Sequence, residues 1–246
     1  MSSTNIIFEK PNEALVEKWY RWVFSLNHQS NPFHPINGEQ YWKEKNTDEN
    51  IIWLAGVTAT TQPAKQPSQI PNVRAIVAGA EAKAVYDDGD GNPIQNLPTI
   101  NPRNITIDKG DNRDLYVPLS TEIATATKYP KLVNSLSQLA QEIIDREDDK
   151  GGAPPAFVEF EDAQGNKDTR RREQLKPEFR VNGTINQLNI IADNVGMLPP
   201  GDGAAAFSDY AVVLKRDALR PGTNRLRFGV DGQFFNYTVE YKIDVK

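Results

Sequence analysis

Apolar residues recur at helical spacing near the start of the chain. Those separated by steps of three and four residues are Leu15, Trp19, Trp22, Val23 and Leu26. This period places them on one face of an α-helix. Proline is favoured in a first helical turn, and Pro11 precedes the stripe. The pattern therefore predicts an amphipathic helix over residues 11–26.

A second stretch with the helical period lies in the middle of the chain. Its apolar face consists of Leu132, Leu136, Leu139, Ala140, Ile143 and Ile144. Pro130 precedes this face, and Gly151-Gly152 follows the charged residues that come after it. Because proline suits a helix start and glycine a helix end, the pattern predicts a helix over residues 130–147.

Elsewhere the apolar residues form short runs or alternate with polar ones, as in β-strands. Strands are predicted over residues 51–57, 73–86, 104–108, 114–119, 156–161, 178–181, 187–192, 211–215, 224–230 and 235–245. Asp231-Gly232 predicts a hairpin turn between the last two. Many strands without regular β-helix-β alternation predict a mainly β fold, an antiparallel β-sandwich of jelly-roll or immunoglobulin-like type.

The length and the order of these elements predict how the chain is organised. At 246 residues, the chain has the size of one large all-β domain. Residues 1–50 are expected to form a helix and loop that pack on the sheet. Residues 51–246 are expected to form the sandwich domain, with the second helix inserted in it.

Charge and composition narrow the classes of partner. The formal net charge of -5 provides no attractive field for a phosphate backbone, so nucleic acid is not expected as a partner. The densest basic cluster, around Arg170 and Arg171, lies among carboxylates and predicts a solvated, self-neutralising loop. The absence of cysteine excludes disulfides and thiolate chemistry. With no signal peptide or membrane span evident, the expected location is the cytoplasm.

The two histidines lie in one proline-rich segment that could bind a ligand. The candidate binding residues are His28, His34, Glu39 and Trp42. Two imidazoles and a carboxylate can hold zinc or iron, but a spacing across two prolines carries little geometric information. Histidines that cap the loop by hydrogen bonding are favoured, and no metal or cofactor is predicted. Trp42 either joins the core or stacks on a sugar ring.

Other chemical signals are weaker. Glu159, Glu161 and Asp209 lie on or near predicted strands, which leaves hydrolysis by paired carboxylates open. The Asp- and Gly-rich segments at residues 87–92 and 162–166 resemble parts of calcium loops, although tight turns explain them better. No Gly-x-Ser-x-Gly motif and no phosphate-binding glycine loop is present in the sequence.

Several motifs together resemble those of a known family. They are Trp19-x-x-Trp22, Trp53-Leu54-Ala55-Gly56, the Pro221-Gly222 turn and Val239-x-Tyr241-x-Ile243-x-Val245. The chain is similar at these positions to a family of uncharacterised bacterial β-rich proteins. The resemblance implies one continuous fold. Since no activity is established for that family, it implies no catalytic residue.

Three functions stay open from the sequence alone. The favoured one is a non-enzymatic binding or assembly protein, whose partner is a second copy of the chain, another protein, a glycan or a small molecule. One alternative is a hydrolase or lyase that uses carboxylates, with or without His28 and His34. A further alternative is a carbohydrate-binding module. The sequence does not decide whether the protein is an enzyme.

Overall fold

The structure is a computed structural model of the 246-residue chain. The residues that it describes are 8–27, 42, 47–55, 59–60, 76–77, 103–125, 156–171, 175, 178–192, 200–231 and 236–246.

Strands make up most of the described part of the chain. In chain order, the elements are β1 (Phe8–Glu9), α1 (Glu13–Phe24), β2 (Ile51–Trp53), β3 (Ala59–Thr60), β4 (Ile76–Val77), β5 (Arg103–Ile107), β6 (Asp114–Thr125), β7 (Ala156–Glu161), β8 (Lys167–Arg171), β9 (Arg180–Ile190), β10 (Gly201–Leu214), β11 (Gly222–Asp231) and β12 (Asn236–Val245). A 3-10 turn, Arg216–Ala218, links β10 to β11. The prediction of a mainly β fold is confirmed.

The long strands form two five-stranded sheets. In the first sheet the order is β1-β10-β6-β2, with β9 also paired to β10, and in the second it is β5-β12-β11-β7-β8. β3 and β4 form a separate pair. The pairs β2–β6 and β5–β12 are parallel, so both sheets are mixed. The prediction of a purely antiparallel sandwich is therefore wrong, because long connections between these strands allow parallel crossovers.

The inner faces of the two sheets share one apolar core, as in a β-sandwich. Residues from the first sheet include Ile52, Leu115, Val117, Val212 and Leu214, and those from the second include Ile105, Val158, Phe160, Leu226, Phe228, Tyr241 and Ile243. Their even or odd spacing along each strand follows from the alternation of side chains across a sheet. Apolar burial between the sheets is thus the main stabilising term.

Helix α1 covers the opposite face of the first sheet, which gives the structure a third layer. The Asn12 side chain caps the helix by accepting the Leu15 backbone N–H at 2.9 Å. The predicted helix is confirmed to within two residues at each end. Its apolar face packs against the first sheet. Its buried face is wider than predicted: it includes Val16, Tyr20 and Phe24, with Leu15 and Trp22 at its margin.

A buried polar cluster lies between α1 and the first sheet. Tyr20 Oη donates a hydrogen bond of 2.6 Å to Asp209 Oδ1, and Asp209 is fully buried on β10. The Tyr116 hydroxyl is also buried, and it has no hydrogen-bond partner among the described residues. Burial, with a smaller contribution from the charge of Asp209, raises the pKa of Tyr116 well above its ordinary value.

Glycine allows the first turn of α1 to approach β9 closely. A methyl group at Gly183 would lie 2.6 Å from Glu13 Cγ and 2.6 Å from Phe207 Cζ. Glu13 Oε1 also accepts the backbone N–H of Thr184 at 3.2 Å. The absence of a side chain at Gly183 therefore sets the distance between helix and sheet.

Asn224 organises the turn into the C-terminal hairpin. Its Oδ1 accepts the backbone N–H groups of Arg220 and Ala163, at 3.0 and 3.2 Å. Its Nδ2 donates to the carbonyls of Arg220, Gly222 and Ile243. Gly222 has a φ of 104°, a conformation that favours glycine. The predicted hairpin is confirmed as far as the pair Asp231 and Asn236.

Tyr241 and Arg103 connect the two sheets through polar contacts. Tyr241 Oη accepts the backbone N–H of Ala55 at 3.0 Å and donates to the carbonyl of Ala55 at 2.9 Å. Arg103 Nη1 donates to the same hydroxyl at 3.0 Å and to the same carbonyl. These buried hydrogen bonds satisfy the backbone N–H and C=O of Ala55, where the chain leaves β2.

Several strands of the first sheet are longer than predicted. β6 continues to Thr125, the predicted strands at 178–181 and 187–192 form the single strand β9, and β10 begins at Gly201. The start of β10 is rich in Gly and Ala, which have low strand propensity. Pairing with both β6 and β9 outweighs this propensity, since the backbone of β10 is satisfied on both sides.

Some predicted features lie outside the described residues. These are the helix over 130–147, the loop at 87–92 and most of the strand over 73–86. The turn at 162–166 is described and is a turn as predicted, with Gly165 at a φ of 83°. The described part of the chain holds no helix long and apolar enough to cross a lipid bilayer.

The Tyr20 hydroxyl should contribute more to stability than the Tyr116 hydroxyl. We expect Tyr20→Phe to lower the free energy of unfolding by about 1.5–3 kcal/mol, because a buried carboxylate loses a hydrogen bond. Tyr116→Phe removes a hydroxyl that has no partner within the described part of the chain and should change stability by less than about 0.5 kcal/mol. Urea unfolding measures both values. Equal losses of unfolding free energy in the two variants would contradict this difference between the two hydroxyl groups.

The close approach of α1 to β9 should make Gly183 intolerant of a side chain. We expect Gly183→Ala to destabilise the fold by about 1–3 kcal/mol, since the added methyl overlaps Glu13 and the buried Phe207 ring. Gly110→Ala is the control, because nothing lies within 4 Å of a methyl group there. Thermal unfolding of both variants checks the prediction, and a Gly183→Ala protein as stable as the control would refute it.

Candidate functional site

The predicted binding segment is only partly described. His28, His34 and Glu39 lie outside the described residues. Trp42 is described and only 7% exposed, and its indole N–H donates a 3.1 Å hydrogen bond to the carbonyl of Trp53. Its ring belongs to the core between the sheets. Of the two roles considered for Trp42, the contacts correspond to the core residue.

Of the three carboxylates considered for hydrolysis, one lies on the first sheet and two lie on the second. Asp209 faces helix α1 from the first sheet. Glu159 and Glu161 lie on the outer face of the second sheet, since their neighbours Val158 and Phe160 point into the core. A pair of catalytic carboxylates has to flank one bond at a separation of about 5–10 Å. Asp209 cannot pair with either glutamate from the opposite layer, and the Glu159 carboxylate is already paired with Arg171 and Arg227.

A polar groove opens where two loops meet at one end of the first sheet. It has a volume of about 620 Å³ and is lined by residues 47–50 and 110–113. These loops precede β2 and β6, whose parallel pairing begins at Ile51 and Asp114. Because parallel strands start at the same end of a sheet, the preceding loops lie side by side. Strand pairing thus creates the groove.

Arg113 holds the two loops together. Its Nε and Nη2 donate to the Asp111 carboxylate at 3.0 and 2.7 Å, in a bidentate pair. Its Nη1 donates to the carbonyl of Asp48 on the other loop at 2.8 Å. One guanidinium group therefore fixes the separation of the loops.

Residues in and next to the 3-10 turn after β10 also hold the loop between β5 and β6. Arg216 Nε donates to the carbonyl of Asp111 at 2.6 Å, and its backbone N–H donates to Asp114 Oδ1 at 2.8 Å. Lys215 Nζ donates to Asp114 Oδ2 at 2.6 Å, and this hydrogen bond raises the pKa of Lys215. The residues between β5 and β6 are consequently anchored at both ends.

Electrostatic interactions keep the Asp111 carboxyl of the groove ionised. Hydrogen bonds from the Arg113 side chain, opposed by partial burial, lower the pKa of the Asp111 carboxyl below its ordinary value. The same pairing raises the pKa of Arg113. Asp111 and Arg113 thus form a structural ion pair at neutral pH.

Four other side chains of the groove remain available for contacts. Those of Thr47, Glu49, Asn50 and Asn112 are exposed, and within the described part of the chain their polar atoms make no hydrogen bond. They provide a hydroxyl, a carboxylate and two amides, which can donate and accept hydrogen bonds. The groove therefore combines loops that arginine hydrogen bonds hold in place with exposed polar groups that can contact a ligand.

The sequence indicates the composition of the two groove loops but not that they lie side by side. Asp, Asn, Gly and Thr are concentrated just before β2 and just before β6, as expected of loops. Their adjacency depends on the parallel pairing of Ile51–Trp53 with the start of β6, which joins residues about sixty positions apart. No local pattern indicates this pairing.

The second sheet presents charged strands on its outer face. Lys167 on β8 lies 3.2 Å from Glu161 on β7, and Arg171 lies 3.5 Å from Glu159. Glu159 also lies 2.7 Å from Arg227 on β11. The predicted self-neutralisation of the basic cluster is confirmed. The predicted loop is wrong, because backbone pairing with β7 makes Lys167–Arg171 a strand.

Metal ligation and relationships to known proteins were also tested. Among the described residues, no group of three or more His, Asp or Glu side chains is placed to hold a metal ion. No protein-family model, no curated protein and no solved structure matches the chain.

Removing the guanidinium group of Arg113 should raise the pKa of the Asp111 carboxyl. In Arg113→Gln we expect the pKa of Asp111 to rise toward the ordinary value of an aspartate. Because the folded-state pKa is lowered, this pair stabilises the protein above the unfolded pKa, and the stabilisation is lost as pH falls through the folded pKa. The variant should therefore lose less stability than the parent protein when the pH is lowered below about 4.

Carboxyl-carbon NMR titration and urea unfolding as a function of pH test this expectation. Arg225→Gln is the control, because Arg225 is an exposed arginine on β11 outside the groove. It should leave the pKa of Asp111 unchanged. An Asp111 pKa that is equal in Arg113→Gln and in the parent protein would show that Arg113 does not hold this carboxylate in solution.

Proposed function

We propose that the protein is a non-enzymatic binding protein that recognises a polar ligand in the groove formed by residues 47–50 and 110–113. One observation carries the proposal. Arg113 and Arg216 hold the loops in place, while the polar side chains of Thr47, Glu49 and Asn112 are exposed and make no hydrogen bond to any residue that the structure describes. A site of this kind binds without reorganising, so little of its interaction energy is lost in ordering the loops.

The free groups of the groove favour a ligand with several hydroxyl or amide groups. Amide side chains such as those of Asn50 and Asn112 donate and accept at once, as a polyhydroxylated ring or a peptide unit requires. The charge of Asp111 is already compensated by Arg113. The proposal therefore specifies a glycan or a small polar molecule, bound by hydrogen bonds along one face.

The state of the acidic groups supports binding in preference to hydrolysis. A general acid needs a pKa near the working pH, whereas the pKa of Asp111 is lowered. Asp48 Oδ2 lies 3.7 Å from Lys18 Nζ, so this carboxylate is already paired with a cation. A catalytic role for His28 and His34 stays an alternative prediction.

Other parts of the proposal concern the scaffold and the location. A jelly-roll or immunoglobulin-like subtype of the sandwich, a cytoplasmic location and a homo-oligomeric state stay predictions. Helix α1 buries its apolar face against its own sheet. An assembly of several copies would therefore use a surface other than this face of the helix.

A ligand screen tests the groove. Thermal-shift measurements with a library of mono- and oligosaccharides, amino acids and dipeptides are expected to identify a compound that raises the melting temperature. For that compound, the double variant Asn50→Ala/Asn112→Ala should bind about ten- to thirtyfold more weakly, because each lost hydrogen bond contributes about 1 kcal/mol. Arg225→Gln is the matched control and should bind as the parent does.

Three outcomes would contradict the proposal. If no compound binds, or if the double variant binds with unchanged affinity, the groove is not the binding site. If mass spectrometry shows that the bound compound is converted during incubation, the protein is an enzyme. In that case the hydrolase or lyase alternative replaces the binding function.

A further inference from the structure

An unbroken row of tryptophan and tyrosine rings lies between helix α1 and the first sheet. The ring centroids of Trp22 and Trp53 are 6.1 Å apart, and those of Trp53 and Tyr116 are 5.4 Å apart. Tyr116 and Trp19 follow at 5.8 Å, and Trp19 and Tyr20 at 5.0 Å. Each ring therefore contacts the next. In a chain without cysteine, indole and phenol are the side chains that lose a single electron most readily.

Trp22 forms the end of the row that solvent can reach. It is half-buried at the margin of the helix face, whereas the other three tryptophans of the chain are at most 7% exposed. A dissolved oxidant therefore meets Trp22 before any other tryptophan. From Trp22, the contacts lead inward through the core to Tyr20, which is fully buried.

Tyr20, at the buried end of the row, has a proton acceptor in place. Its hydroxyl donates a short hydrogen bond of 2.6 Å to the Asp209 carboxylate. A phenol that has lost an electron is a strong acid, and an isolated charge in the core is costly. Movement of the proton along this hydrogen bond leaves a neutral phenoxyl radical on Tyr20 and a neutral carboxylic acid on Asp209. Tyr20 can therefore hold a radical without leaving a positive charge in the core.

Tyr116, in the middle of the row, has the same ring but no such acceptor. Its hydroxyl is fully buried and has no hydrogen-bond partner within the described part of the chain. Loss of an electron from Tyr116 would leave a positive charge in the core, which is unfavourable. Tyr116 therefore connects Trp53 to Trp19, and the radical does not remain on it.

We propose that this row of rings transfers one-electron oxidation from Trp22 at the surface to Tyr20 in the core, where the radical is held beside Asp209. The reaction partner is a dissolved one-electron oxidant, which takes one electron from Trp22 and is thereby reduced. One electron then moves from Tyr20 along the row to Trp22, and the proton of the Tyr20 hydroxyl moves to Asp209 Oδ1. Trp22 is restored, so electrons and protons balance.

Pulse radiolysis of the full chain tests the proposal. The probe is the azide radical, which at neutral pH oxidises tryptophan faster than tyrosine. The tryptophanyl absorption is expected to decay at the rate at which a tyrosyl absorption appears, and this rate should not depend on protein concentration. Heavy water should slow the conversion, because a proton moves with the electron. Absence of the tyrosyl signal, or a rate proportional to protein concentration, overturns the proposal.

Two matched phenylalanine variants identify the residue that holds the radical. Tyr20→Phe should lose the tyrosyl signal and keep a long-lived tryptophanyl radical. Tyr116→Phe retains a ring in the same place and should still form the tyrosyl radical, because the hydroxyl that it removes has no acceptor within the described residues. A tyrosyl signal that persists in Tyr20→Phe, or one that is lost in Tyr116→Phe, contradicts the assignment of the radical to Tyr20.

Two further variants test the ends of the row. Trp22→Phe removes the ring at which oxidation enters and should lower the yield of the tyrosyl radical. Asp209→Asn keeps an acceptor oxygen for the Tyr20 hydroxyl but is a far weaker base, so it should slow the conversion. Arg225→Gln, on the second sheet, is the control and should react as the parent does. Circular dichroism confirms that each variant folds, and an unchanged yield in Trp22→Phe would refute entry at this residue.

Discussion

Both faces of the first sheet are apolar, and each of them has to be covered by another layer. Along β2, Ile52 and Leu54 point toward the second sheet, whereas Ile51 and Trp53 point toward helix α1. A sheet with two apolar faces is stable only between two partners. The second sheet needs one partner only, so its outer face carries charges. The three layers and the exposure of the charged strands follow from this single constraint.

The three-layer arrangement encloses polar groups that must be satisfied inside it. Asp209 is fully buried and receives the Tyr20 hydroxyl from the covering helix. Asn224 makes hydrogen bonds through both atoms of its amide group at the entrance of the C-terminal hairpin. Buried polar groups are costly when they are unpaired, so they favour one arrangement of the layers over others. Apolar burial supplies the stability, and these contacts specify how helix and sheets are placed.

The proposed binding groove depends on how the scaffold holds its loops. Arg113 and Arg216 hold these loops in place through hydrogen bonds to backbone carbonyls. The exposed amide and hydroxyl groups of the groove suit a small polar ligand. The groove lies apart from the buried clusters, so its chemistry is separate from the packing that stabilises the fold.

The sequence by itself determined the elements that side-chain period and turn residues specify. The helix at Glu13–Phe24, the strand at Ala156–Glu161 and the C-terminal hairpin were all predicted close to their positions, because side-chain period and turn residues act over a few positions. Only the tertiary structure decided the parallel pairing of β2 with β6, on which the groove depends. It also turned the basic segment Lys167–Arg171 into a strand, since β7 offered it backbone partners that no local pattern reveals.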